Sequence, residues 1–169
     1  MFKVLQAGSL IAAVVTMGLM AGLFASFSYA VMPGLAKVND RAFIDSMQRI
    51  NVAIVNGWFM ICFMGALAFA GLAAALHWKG DDRPALPWII AGFVLYLIVL
   101  IITFAINVPL NDRLAAAGDP ADIADLAAVR TAFEARWVTW NIVRALTSTA
   151  ALGCLAWALI LHGRVTGNG

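Results

Sequence analysis

The chain has 169 residues, of which 63% are apolar and 12% charged, with a formal net charge of +2. Soluble domains carry about 25% charged residues, so this composition and a mean hydropathy of +0.91 argue against a soluble enzyme. The few basic residues are scattered and form no stripe that a nucleic acid needs, so none is expected as a partner.

Uninterrupted runs say more than averages. No Asp, Glu, Lys or Arg falls within residues 4–36, 50–78, 84–111 or 145–163. A helix that crosses a bilayer needs about 20 predominantly apolar residues, so four windows predict four membrane helices. The first stretch, "MFKVLQAGSLIAAVVTMGLMAGLFASFSYA", has the basic start and small-residue end of a signal peptide. Its apolar part is longer than a signal core, and Gly18 with Gly22 makes a close-packing face. It is read as a retained first span over 4–32, stopped by Pro33-Gly34, with the Gly18/Gly22 face open to a second copy of the chain.

In "LAKVNDRAFIDSMQRIN", Phe43, Met47, Ile50 and Ile54 fall on one helical face. They predict a short amphipathic connector helix feeding the second span, 50–77. The polar, breaker-rich turn "HWKGDDRP" predicts an antiparallel hairpin into a third span, 87–110, with Pro87 in its first turn. Asp119 as a cap and Pro120 in a first turn then predict a long fourth helix that projects before it crosses at 137–162. The expected fold is all-α: one domain over 1–169, an integral membrane four-helix bundle with an amphipathic connector helix and an extended fourth helix. Lys3 in a short N-terminal tail places both termini in the cytoplasm, on a bacterial-type inner membrane. Cys62 and Cys154 lie at different depths and read as inert thiols.

A charge inside a span costs about 2.5–3.5 kcal/mol at mid-helix and usually faces the bundle interior. Arg144 is the residue that raises this question here. At about 100 degrees per residue, Phe133, Trp137, Trp140, Asn141, Arg144 and Ser148 share one arc of the fourth helix. The third helix brings Asn107 and Asn111 on one face, and Pro109, which leaves the carbonyl of Ala105 without its usual partner. The second brings Asn51 and Asn56, and the first Ser26, Ser28 and Tyr29. All lie within about two turns of one membrane face, while the opposite half reads as almost pure aliphatic. Taken singly, the tryptophans fit an interfacial belt, the amides fit interhelical hydrogen bonding, and Arg144 fits a side chain reaching for the surface. Taken together they predict a one-ended, half-polar cavity.

Indole walls, a fixed cation and amides suit a flat, hydrophobic aromatic molecule bearing carbonyl, phenol or enolate oxygens. Arg144, Asn111 and Asn141 are expected to meet its oxygens. Trp137, Trp140, Asn107, Asn56 and Tyr29 are the expected substrate contacts. The only histidines, His77 and His162, fall at the other end, where helix-end positions at the interface are the simpler reading than a facing pair of metal or haem ligands. No HExxH, CxxC or Gly-rich phosphate loop is present, so neither a metal nor a cofactor is expected.

The segments "GLFASFSYAVMPGL", "FIDSMQRIN", "NVPLND" and "WVTWNIVRAL", in that order across four spans, resemble the anthrone oxygenase-like membrane proteins. The resemblance implies oxidation of an anthrone to an anthraquinone by O₂. Arg144 would then stabilise an enolate oxygen, Asn107, Asn111 and Asn141 would orient the remaining oxygens, and the indoles would hold the rings. Asp112 and Glu134 are the nearest carboxylates for a base. The competing expectation is a non-catalytic membrane protein, either a lipophile-binding module or an accessory subunit.

Overall fold

The computed structural model describes residues 1–78 and 83–167, and the side chains of all but the last three of these. The turn expected at 79–82 lies outside the described residues. Every regular element among the described residues is helical. α1 (Phe2–Ser26) passes through a π-helical turn, Phe27–Val31, into a last α-turn, α2 (Met32–Leu35). α3 (Asp40–Ile54) and α4 (Gly57–Leu76) follow. α5 (Leu86–Ile102) passes through a second π turn, Thr103–Asn107, into α6 (Val108–Ala116), and α7 (Leu126–Gly167) is the longest helix. Four stretches are long and apolar enough to cross a membrane: Phe2–Leu35, Gly57–Leu76, Arg83–Ala116 and Leu126–Arg164.

The spans close a ring in which α1 packs on α4 and α7, and α5 packs on α4 and α7. Leu10, Met17, Phe63, Ile89, Tyr96 and Leu155 fill its centre, and the Tyr96 hydroxyl donates to the Phe63 carbonyl at 3.0 Å. Gly92 lets α5 and α7 meet closely, since a β-carbon there would sit 2.9 Å from Leu155 Cγ and 3.2 Å from the Ala151 oxygen. The outer faces expose Leu19, Ile101 and Leu146, as a lipid-facing surface does. Gly18 faces Leu152 of α7, while Gly22 is open on the outside.

The amphipathic helix covers one end of this ring. Phe43, Ile44 and Met47 of α3 pack on Leu110 and Leu114 of α6 and on Phe133 and Trp137 of α7. Gln48 donates to the carbonyls of Leu114 and Gly118 at 2.9 and 3.0 Å. Arg130 holds the preceding turn: it donates to the Val38 and Ala36 carbonyls, pairs with Asp40 and Glu134, and stacks 4.5 Å over Phe43.

Four boundaries differ from expectation, each for a local reason. Pro33 does not stop the first helix, because it falls in the first turn of α2, where a missing N–H costs nothing. Pro109 is absorbed in the same way just past the second π turn, and the helix runs on to Ala116. The connector does not feed continuously into the second span: the chain breaks at Val55, and the Asn56 side chain caps α4 by accepting from the Phe59 N–H at 3.0 Å. The fourth helix starts at Leu126, not near Pro120. Asp125 accepts from the Ala128 N–H there, while Asp119 closes a turn on Ala121.

The far half is not purely aliphatic. Gln6, Ser9, His77 and His162 are buried there, and His77 Nε2 lies 3.2 Å from His162 Nδ1. The two histidines therefore face each other inside the bundle, where His77 Nδ1 also meets the Ala73 carbonyl at 2.7 Å. The expected depth at the termini end agrees, but the two rings turn inward toward each other, the alternative weighed against interfacial positions.

Candidate functional site

A cavity of about 330 Å³ opens where α1, α3, α4, α6, α7 and the two π turns converge, at the small end of the roughly 300–1,000 Å³ typical of ligand pockets. Phe24, Phe27, Phe63 and Trp137 are buried in its walls, and Val55, Met60 and Phe104 form an exposed apolar rim.

Arg144 stands in the wall, only 6% exposed. One guanidinium nitrogen donates to Asn141 Oδ1 at 2.9 Å and another to Thr103 Oγ at 3.3 Å. The cation lies 4.4 Å from the centre of the Phe24 ring and 5.6 Å from that of Trp137, close enough for the ring faces to attract it. No carboxylate pairs with it among the described residues. Glu134 is taken by Arg130, Asp112 is exposed, and neither lines the cavity. A buried charge without a counter-charge is the costly case, and the rings and neutral oxygens compensate it only in part.

The surrounding amides have distinct parts. Asn141 spends its amide hydrogens on the Phe24 carbonyl and Ser28 Oγ, at 2.9 and 2.8 Å, and its oxygen on Arg144, so it orients the cation. Asn111 Oδ1 accepts from the Trp137 indole N–H at 2.8 Å, which fixes an indole packed between Phe27 and Phe133. Asn107 donates weakly to the Trp137 carbonyl at 3.4 Å. Three buried polar atoms in the walls have no partner: Arg144 Nε, Asn107 Oδ1 and Asn51 Nδ2. Each such group costs about 1–3 kcal/mol when left unsatisfied.

Of the residues expected at the site, Arg144, Asn141, Asn111, Asn107 and Trp137 line this one cavity, and Trp140, Asn56 and Tyr29 do not. Tyr29 is 72% exposed, because the π turn brings Phe27 inward and carries Tyr29 out. Asn56 is spent as an exposed cap. Trp140 lies at the edge of the helical arc and is half-buried outside the cavity. Thr103 and Phe24 line the cavity without having been expected there, and Asn51, expected among the amides at this end but not as a contact, lines it too. Thr103 was findable, one turn before Asn107 and two before Asn111 on the same face. Phe24 carried no signal, since its ring is one of many in an apolar run. Among the described residues, no three His, Cys, Asp or Glu side chains gather as a metal site.

The sequence model of the family described as "Anthrone oxygenase" matches residues 58–154, more than half of the chain. The chain belongs to the anthrone oxygenase family. No curated protein and no solved structure matches it. The matched segment carries the cavity residues from Trp58 onward, including Asn107, Asn111, Trp137, Asn141 and Arg144. Those on α1 and α3 lie before it.

Proposed function

We propose that the cavity binds a flat, lipophilic, anthrone-like polycyclic phenol and that the protein oxidises it with O₂, as a membrane-embedded oxygenase needing no cofactor. What carries the reading is the buried guanidinium of Arg144, set without a carboxylate between aromatic walls. Such a site favours an anion whose charge is spread over a ring system, and an anthrone enolate is one.

An anthrone loses a proton from the carbon opposite its keto group, and the electron pair moves onto oxygen to give an aromatic enolate. Arg144 stabilises that oxygen more than it stabilises the neutral ketone, which is the condition for catalysis. The enolate passes one electron to O₂, the radical pair closes a carbon–oxygen bond, and protonation gives a hydroperoxide. Loss of the second hydrogen on that carbon as a proton, with cleavage of the O–O bond, releases water. Anthrone plus O₂ becomes anthraquinone plus water. With no carboxylate lining the cavity, the first proton departs to water and the substrate is held as its enolate.

The test is O₂ uptake by purified protein given anthrone, measured against the spontaneous rate. The reading expects one O₂ consumed per anthraquinone formed, well above background, and loss of the excess in Arg144→Ala. The lack of a lining base favours a second reading, a non-catalytic lipophile-binding module. Anthrone that binds but is oxidised no faster than in buffer supports that module and overturns the enzyme.

A further inference from the structure

The unpartnered atoms in the cavity differ in what they need. Arg144 Nε and Asn51 Nδ2 are donors that lack acceptors, and Asn107 Oδ1 is an acceptor that lacks a donor. An enolate oxygen answers Arg144 but offers Asn107 nothing. A hydroxyl both accepts and donates, so it is the simplest substituent able to serve the two amides.

Asn51 is set apart from the rest by its place in the chain. It sits on the last turn of α3, an element held to the bundle by its own contacts with α6 and α7 and lying before the family-matched segment. With Ile50, Ile54 and Val55 it makes the part of the lining that does not come from a membrane span. A change at Asn51 can thus alter what the cavity accepts without touching Arg144.

We propose that Asn51 is a specificity-determining residue, which with Asn107 reads a hydroxyl on the ring system bound at Arg144. This rests on the cavity being the lipophile site proposed above.

The experiment measures equilibrium binding under argon, by quenching of tryptophan fluorescence in the full-length protein, with anthrone and 2,6-dihydroxyanthrone, whose hydroxyls lie away from the keto oxygen, as probes. Wild type is expected to bind the dihydroxy probe at least tenfold more tightly than anthrone. Asn51→Leu is expected to bring the preference within about threefold by weakening the dihydroxy probe alone. Asn51→Ala, which keeps a good helix former without the bulk, gives the same readout if the leucine variant does not accumulate. An unchanged preference in a folded variant, or equal weakening of both probes, overturns the role of Asn51 while leaving the ligand site intact. If neither probe binds wild type, this proposal and the functional reading fall together. If both bind as expected but O₂ uptake stays at background, the recognition stands and only the enzyme reading fails.

Discussion

Arg144→Met keeps the side-chain stem and removes the charge, and its effects on stability and on turnover separate. On stability the contributions partly cancel. Removing the guanidinium relieves a burial cost of about 2.5–3.5 kcal/mol. It also gives up two hydrogen bonds from a charged donor, worth about 1.5–3 kcal/mol each. Thr103 retains its donation to the Val99 carbonyl, so the main group left bare is Asn141 Oδ1. The variant is therefore expected to lie between about equal to wild type and about 3.5 kcal/mol less stable, read as the shift in a detergent melting curve. Turnover behaves differently. Losing one preorganised donor to a developing oxyanion costs about 10²–10³ in kcat, and the spontaneous rate sets the floor. Steady-state O₂ uptake alongside thermal melting gives both numbers. Turnover within threefold of wild type refutes the reasoning outright. A variant that loses activity only because it no longer folds or inserts refutes it too, since Arg144 would then be structural.

Asn141→Leu should lower kcat about tenfold or more while leaving ligand affinity within threefold, because it frees Arg144 to turn without removing it; a matched fall in affinity counts against a positioning part. Arg130→Met should loosen the turn and α3 rather than the spans, costing about 1–2 kcal/mol locally, and amide exchange over residues 36–54 should quicken about 5–30-fold. Gly92→Ala should destabilise by about 1–3 kcal/mol, because Leu155 Cγ and the Ala151 carbonyl must both give way; an unshifted melting temperature contradicts the close approach of α5 and α7.

The spans were legible because apolar runs of bilayer length admit few alternatives. The core of the site was legible because a buried cation must be wrapped: Asn141 three residues before Arg144, and Asn107 four before Asn111, fall on faces that a 3.6-residue repeat predicts. Asn56 misled because apolar residues flank Asn56-Gly57 on both sides, at 52–55 and 58–63, although an Asn followed by Gly is a helix-start signal in its own right. The facing histidines escaped because depth along two helices says nothing of the angle each side chain takes. Tyr29 misled for another reason: the π turn at Phe27–Val31 changes the phase of the helix, and hydrophobicity does not mark the place.

The two π turns bear on why a hole exists here at all. One lies on the first span and one on the third, and each begins beside an atom that fixes the arginine. The Phe24 carbonyl receives Asn141 just before the first, and Thr103, which receives Arg144, opens the second. A π turn holds one more residue per hydrogen-bonded loop than an α-turn. It is wider and cannot nest into a neighbour's groove as an α ridge does, so two such turns bordering one cavity open it without small residues in its lining. The argument can be tested by removing the extra residue. Deleting Ala105 should restore an α-turn, whose four residues sweep about the same angle as the five of the π turn, so that Asn107 and Asn111 keep their face while the extra width beside the cavity is lost. Helix content by circular dichroism should be unchanged and anthrone binding should weaken more than tenfold, while the Trp137 indole keeps the Asn111 partner that holds it. If the deletion variant keeps both its helices and its affinity, the cavity owes its existence to packing alone and the π turns are incidental.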